Sequence, residues 1–285
     1  MISVQKIPRI IFNFNDRCLN GCPFCFIPFD GAGAGDVGLW REIVARANEF
    51  APDMLSFSGC DPFYYEGFYE LLETAEKRCC WGVDTSLIWL DREKFLSVCG
   101  RLEQISTSWD DVPSMPVIQR YGGERYARFV GHTEFVLEHM PHLVIHTLFS
   151  AKNRDHLEEI ADELLKRNVR TWSIYQFWPF DFIRNTADYL TGPRDFISRT
   201  AQVKDYVAGR LDLDCVPCAG RANGYFFVSS RGNVYTTLDG PVGRYRVLGH
   251  IFDEDIFDKW KQWSNPDAAG DILKQKLMRE TVSKG

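Results

Sequence analysis

Arg9-Ile10-Ile11-Phe12-Asn13-Phe14-Asn15 is followed, after two further residues, by Cys18-Leu19-Asn20-Gly21-Cys22-Pro23-Phe24-Cys25. The first stretch is short and rich in Ile and Phe, and reads as a strand. The second sets three thiols in the spacing C-x3-C-x2-C, on a loop shaped by Gly21 and Pro23. Thiolates are soft ligands, suited to zinc or to iron–sulfur clusters. Three of them leave one iron of a four-iron cluster without a protein donor, and a substrate or cofactor can take that open position. A loop directly after a strand is also where parallel α/β folds bind their ligands.

Outward from this loop the chain alternates apolar runs with amphipathic stretches. Leu39, Ile43, Ala47 and Phe50 fall on one side of a helix over 39–50. Further strands are expected at 53–58, 81–87, 104–109, 142–149 and 170–177. Helices are expected at 65–77, 91–99, 124–139, 153–167 and 193–210, the last with Pro193 in its first turn. About six strand–helix units in succession argue a parallel sheet with helices outside, since crossovers between parallel strands are helical and right-handed. The pattern changes after about residue 210. Tyr225–Ser229 and Val234–Leu238 are β-like and joined by Ser230-Arg231-Gly232-Asn233, a hairpin turn. A short helix over Ile256–Trp263 and a charged tail follow.

Composition narrows the class. The chain has 285 residues, of which 45% are hydrophobic, 25% charged and 14% aromatic, so disorder, collagen and coiled coil are excluded as the main state. Its formal charge of −6 disfavours a general affinity for nucleic acid or anionic membranes. No apolar run approaches the ~18–20 residues that span a bilayer, and the N-terminus lacks a secretory pattern. Nine cysteines, an odd count in a chain of this size, argue against a disulfide scaffold. The expectation is a cytoplasmic protein whose thiolates bind metal or stay reduced.

The cysteine spacing, with Phe24 before the last cysteine, resembles the radical SAM superfamily. The resemblance spans roughly residues 8–240. It implies an α/β fold, a partial (β/α)6 TIM-like barrel. It implies that Cys18, Cys22 and Cys25 hold a [4Fe-4S] cluster whose open iron is chelated by S-adenosylmethionine, with Phe24 near the adenine. An external electron donor of the flavodoxin or ferredoxin type is implied as well. After the second strand that family carries a Gly-Gly-Glu-Pro-like segment. Here Ser58-Gly59-Cys60-Asp61-Pro62 stands in its place, with cysteine for a glycine and aspartate for the glutamate. A turn with Asp61 as helix cap is the plainer reading of the same residues. The family also places polar residues at the ends of strands four and five. Ser106, Ser108 and Asp110 stand at the fourth, and Thr147, Ser150 and Asn153 at the fifth. Asn153 reads equally as a helix cap. Gln176, on the sixth strand, is assigned to the cavity.

Cys215-Val216-Pro217-Cys218-Ala219-Gly220 before the hairpin resembles the start of a SPASM or twitch extension. The pattern lacks its next cysteine, since Thr236-Thr237 follow the second hairpin strand. The division expected is therefore a barrel core over 1–210 and a C-terminal hairpin-plus-helix extension over 211–285 without a complete auxiliary cluster. Trp172, Tyr175, Phe177, Trp178, Phe180 and Phe182 make an aromatic run that reads either as core or as a pocket wall. Cys79, Cys80 and Cys99 read as buried, inert thiols. His132, His139, His142 and His146 read as surface or core histidines, and Gly33-Ala34-Gly35-Asp36-Val37-Gly38 as a glycine-rich loop rather than a dinucleotide site.

The function expected is reductive cleavage of S-adenosylmethionine followed by hydrogen abstraction from a peptide side chain or a small metabolite. The first strand starts within ten residues of Met1, which leaves leader-peptide recognition to a separate partner. Three alternatives stand beside this reading. One is a non-catalytic zinc or iron–sulfur binding protein, including a four-thiolate zinc site built from Cys22, Cys25, Cys215 and Cys218. The others are a nicotinamide-dependent dehydrogenase and a degenerate barrel kept as a partner protein.

Overall fold

Arg9–Asn13 forms the first strand, β1, and each of its five residues is buried. Its side chains alternate between two destinations, as pleating requires. Ile10 and Phe12, with Phe14 just beyond, enter the main core, where Phe14 meets Trp40 edge-on at 4.9 Å and stacks on Phe68 at 5.1 Å. Arg9 and Ile11 point to the opposite face and line a cavity. A strand apolar on one face and cavity-lining on the other belongs inside a parallel sheet covered by helices.

The computed structural model describes residues 7–15, 17–28, 36–112, 123–140, 142–219, 221–238 and 240–265. After β1 come α1 (Val37–Glu49), β2 (Met54–Ser58), α2 (Glu66–Thr74), β3 (Cys80–Thr85), α3 (Arg92–Val98) and β4 (Gln104–Ser108). They are followed by α4 (Glu124–His139), β5 (Leu143–Phe149), α5 (Leu157–Lys166), β6 (Thr171–Gln176), α6 (Pro193–Val207) and β7 (Asp212–Val216). The chain then runs through β8 (Phe226–Ser229), β9 (Asn233–Leu238), β10 (Arg244–His250) and α7 (Ile256–Trp263). The six strand–helix units expected are all present. The glycine-rich loop lies outside the described residues except for its last three positions, of which Asp36 caps α1 by accepting from the Leu39 N–H at 2.8 Å.

The ten strands among the described residues form one sheet in the order β10-β9-β8-β1-β2-β3-β4-β5-β6-β7. Strands β1 to β7 are parallel to their neighbours, and the sheet is not closed. The expected partial barrel is thus observed, with two additions. A seventh parallel strand, β7, pairs with β6, Ile174 lying opposite Cys215. Its sequence, Asp-Leu-Asp-Cys-Val, is too polar to announce a strand, which suits an edge. The hairpin β8–β9 forms as expected, with Phe227 opposite Tyr235, and β10 pairs antiparallel with β9. β8 runs parallel to β1, Phe12 opposite Val228. Strands from beyond residue 210 therefore stand on both flanks of the six-stranded core.

The C-terminal segment is anchored by aromatic packing. Phe50, at the end of α1, meets both Phe226 and Phe257 at 6.0 Å. Trp260 of α7 donates its indole N–H to the Tyr225 carbonyl at 3.1 Å. Among the described residues, no helix is long and apolar enough to cross a membrane.

Candidate active site

The strands end on a common rim, and the cavity opens there. The loop after β1 brings Cys18, Cys22 and Cys25 to it, and all three line it. Local bonds fix this loop. Gly21 adopts φ +60°, a left-handed conformation that glycine takes without strain. The Cys25 N–H donates to the Cys22 carbonyl at 3.1 Å, closing a tight turn. The Tyr65 hydroxyl donates to the Arg17 carbonyl, and the Tyr245 hydroxyl to the Phe26 carbonyl. The loop is thus held by the start of α2 on one side and by β10 on the other.

The donor set suits a cluster. Among the described residues no three Cys, His, Asp or Glu side chains converge as a single metal ion requires. Three thiols on one turn, each facing the same cavity, can instead reach three separate irons. Burial pushes the Cys18 thiol up, opposed by the Asn20 N–H, which points at its Sγ from 3.5 Å. That N–H is a ready-made donor to a thiolate sulfur. Phe24 is buried against Phe177 and Tyr189, its ring 5.6 Å from that of Tyr189. It locks the loop to the end of β6 while presenting one side to the cavity.

The segment after β2 supplies the next part of the wall. Ser58, Gly59 and Cys60 line the cavity. Gly59 has φ +104°, and a Cβ there would lie 2.9 Å from both the Asn13 Cα and the Asn15 carbonyl oxygen. Only glycine lets this segment pass so close to the chain entering the cysteine loop. Asp61 is turned away from the cavity. Its carboxylate accepts from the Thr85 hydroxyl at 2.8 Å, from the Ser86 N–H at 3.1 Å and from the Ser86 hydroxyl. It makes no side-chain cap to the 3-10 turn it precedes. Its observed work is to tie the loop after β2 to the end of β3. Burial pushes its pKa up, against the donors from Ser86 and Thr85.

Of the other expected residues, Ser108 lines the cavity, as do Ser106 and Thr147. Asp110, Asn153 and Gln176 are buried but do not line it. Asp110 accepts from the Leu148 N–H at 2.7 Å. Asn153 donates to the carbonyls of Asp110 and Leu148, at 3.2 and 2.8 Å, and accepts from the Ser150 N–H. Gln176 donates to the Thr191 carbonyl at 3.2 Å and accepts from the Cys218 N–H at 3.1 Å. These three side chains bind the rim together through backbone groups.

The aromatic run divides between the two sides of β6 and its exit. Trp172 is fully buried in the core, donating to the Thr147 hydroxyl at 2.9 Å. Tyr175, Phe177, Trp178 and Phe180 line the cavity, whereas Phe182 is 43% exposed. The hairpin adds Tyr225 and Phe227 to this wall. Gly243 closes it: a Cβ there would lie 2.8 Å from the Phe180 ring.

Among the polar members of the cavity that sequence reading missed are two arginines, an aspartate and a histidine. Arg9 reaches across its floor to the Ser56 hydroxyl at 2.6 Å and to Asp84 at 3.1 Å. A charged residue opening an apolar strand was the available signal. His146 lines the cavity, its ring 5.1 Å from that of Tyr175. Asp84 and Arg221 complete the set. Cys215 and Cys218 lie outside the cavity lining that holds Cys22 and Cys25. The Cys218 thiol donates to the Phe177 carbonyl at 2.9 Å, and burial pushes it up to about 11. Cys79, Cys80 and Cys99 are half-buried rather than fully buried.

No curated protein sequence matches the chain. Among solved structures it is similar to SuiB of Streptococcus suis bound to S-adenosylmethionine, with TM-score 0.69 and 14% identity over 94% of this chain and 68% of that one. It is also similar to anSMEcpe with bound AdoMet and a Cp18Cys peptide, with TM-score 0.72 and 15% identity over 91% of this chain and 82% of that one. Methylornithine synthase, PylB, is a third, with TM-score 0.53 and 13% identity over 96% and 82% of the two chains. At these identities the likeness is one of fold. The Radical SAM superfamily model matches residues 12–164, which run from β1 through the three cysteines to α5. With over half its length matched, and with the open parallel barrel and thiol-bearing loop described above, the chain belongs to the radical SAM superfamily of enzymes, a family that implies a [4Fe-4S] cluster and S-adenosylmethionine.

Proposed function

We propose that Cys18, Cys22 and Cys25 ligate a [4Fe-4S] cluster, and that S-adenosylmethionine binds its open iron against Phe24, Ser58, Gly59, Cys60 and Ser108. The observation that carries this reading is the convergence of the three thiols on one cavity at the carboxyl ends of the strands. Held by these residues, the cluster and S-adenosylmethionine would together supply reductive cleavage of the cofactor and hydrogen abstraction from the substrate.

The protein's own residues bind, orient and shield. The Asn20 N–H supports the Cys18 sulfur. Asp61, Asp110, Asn153 and Gln176 set the backbone of the rim through the bonds described above. Their role toward S-adenosylmethionine is therefore that of positioning residues. Tyr175, Phe177, Trp178 and Phe180 form an apolar wall that excludes water from the reacting atoms. The substrate assigned is a peptide side chain or a small metabolite. SuiB has been solved with its precursor peptide SuiA and anSMEcpe with a Cp18Cys peptide, which supports the peptide reading. A flavodoxin- or ferredoxin-type donor supplies the electron, and a separate recognition partner presents a peptide substrate. The hairpin and α7 are assigned as a cluster-free remnant of a SPASM or twitch extension that completes the pocket.

The test is anaerobic reconstitution with iron and sulfide, then dithionite and S-adenosylmethionine, assaying 5′-deoxyadenosine. The expected result is cluster iron and 5′-deoxyadenosine in the native protein. Both fall to background in the triple variant Cys18→Ala, Cys22→Ala, Cys25→Ala. Zinc in place of iron, or a cluster that never cleaves S-adenosylmethionine, would overturn the proposal and favour the binding-protein reading.

A further inference from the structure

Arg221 lies between β7 and β8, where the chain crosses from one flank of the open sheet to the other. It is 8% exposed and lines the cavity. Its guanidinium carbon sits 5.2 Å from the Tyr175 ring centre and 5.4 Å from that of Trp178. The guanidinium's hydrogen bonds among the described residues are long and go to neutral acceptors. They reach the Gln176 carbonyl at 3.3 Å and the Tyr225 hydroxyl at 3.4 Å. No carboxylate among the described residues pairs with it. The contrast is Arg9, the other cation of the lining, which holds Asp84 at 3.1 Å. A buried guanidinium is costly to desolvate and is stabilised by an anion in its fork. Burial works against its charge, yet Tyr225, Cys218 and Tyr175 together hold its pKa above the ordinary arginine value.

We propose that Arg221 binds a carboxylate of the substrate, so that the substrate class is a carboxylate-bearing molecule whose neighbouring apolar part rests on Tyr175, Trp178 and Tyr225. One guanidinium matches a monoanion in charge and, through its fork, in shape. A phosphate would call for a second free cation, and Arg9 is already engaged. S-adenosylmethionine also carries a carboxylate, but the residues assigned to it follow β1, β2 and β4, whereas Arg221 follows β7. This inference rests on the proposed function only in taking the cavity to be the substrate site.

The experiment uses the anaerobically reconstituted protein with S-adenosylmethionine present. Phenylacetate, hydrocinnamate, N-acetyltyrosine and N-acetylglutamate are each titrated beside the corresponding amide, with binding read by tryptophan fluorescence and calorimetry. At least one carboxylate is expected to bind about tenfold or more tightly than its amide, as a charge-assisted pair should. The preference is expected to vanish in Arg221→Gln and to survive in part in Arg221→Lys. No carboxylate preference in the native protein, or one that persists in Arg221→Gln, would overturn the proposal. S-adenosylmethionine affinity by equilibrium dialysis separates the two anions. A loss of about tenfold or more there in Arg221→Gln assigns the guanidinium to the cofactor and likewise overturns it. The native carboxylate–amide comparison needs no variant to fold. The 5′-deoxyadenosine assay reports separately: a protein that never forms it, yet shows an Arg221-dependent carboxylate preference, refutes the proposed function and leaves this inference standing.

Discussion

On one side of the cavity three thiols come from eight consecutive residues, Cys18 to Cys25. On the other, Tyr175, Phe180, Arg221, Tyr225 and Phe227 come from β6, the loop beyond it, the crossing to β8 and β8 itself. The first wall is local. Its geometry is set by Gly21, one short turn and two tyrosine hydroxyls. The second is assembled across the opening of the sheet, and no short stretch of sequence contains it. The walls differ in chemistry too. The first offers sulfur and the backbone around Gly59, while the second offers aromatic faces and one buried cation. The difference teaches that one wall of a cavity can be carried by a motif while the facing wall is carried by packing.

The largest effect expected on stability separates two tryptophans six residues apart. Trp172 is fully buried in the core, so Trp172→Ala should cost about 3–5 kcal/mol in thermal or denaturant unfolding. Trp178 belongs to the second wall, and Trp178→Ala should weaken binding of the carboxylate probes with a smaller loss of stability. Equal losses of stability would break the distinction between core and wall along β6 and its exit.

Gly59→Ala probes the first wall. The new Cβ meets backbone at 2.9 Å from a residue held at φ +104°. A loss of about 2–3 kcal/mol is expected, with a lowered melting temperature. An unchanged melting point would show that the loop after β2 can move off the cysteine loop, which the close approach denies.

Asp61→Asn leaves one acceptor oxygen where Thr85 and Ser86 now share two, and should cost about 1 kcal/mol. The effect depends on pH. Burial raises the Asp61 pKa above the unfolded value of 3.8, so the folded chain holds that proton more tightly. The group's contribution to stability is present below that value and declines as pH rises through the folded-state pKa. The deficit of Asp61→Asn should therefore be greatest at acid pH and narrow toward neutrality in paired melting curves. A greater loss in S-adenosylmethionine affinity than in stability would make Asp61 a direct contact rather than a tie to β3.

The smallest effect concerns the second pair of thiols. Cys215→Ser with Cys218→Ser should leave iron and sulfide content unchanged, because neither residue lines the cavity with Cys22 and Cys25. A fall in iron would join the two walls through metal.

Much of the architecture was legible because its signals are short in range. Short apolar runs marked β1 to β6, amphipathic stretches marked α1 to α6, and the spacing of Cys18, Cys22 and Cys25 pointed to the cluster. Polar residues at strand ends were weaker guides. Asp61, Asn153 and Gln176 carry the same atoms whether they meet a ligand or a backbone amide, and only the fold shows them spent on the backbone. β7 and β10 escaped notice because edge strands are half-exposed and need no apolar periodicity.

The sequence alone determined the parallel α/β order, the three-thiol loop and the superfamily, since each depends on residues close together in the chain. Tertiary structure alone decided that β8 flanks β1, that Asp61 turns to β3, that Arg9 engages Asp84, and that Arg221 stands buried among aromatic rings with no carboxylate partner among the described residues. Those outcomes depend on which distant segments share a dielectric and a surface. That is fixed by closing long loops and packing side chains, and no local pattern encodes it.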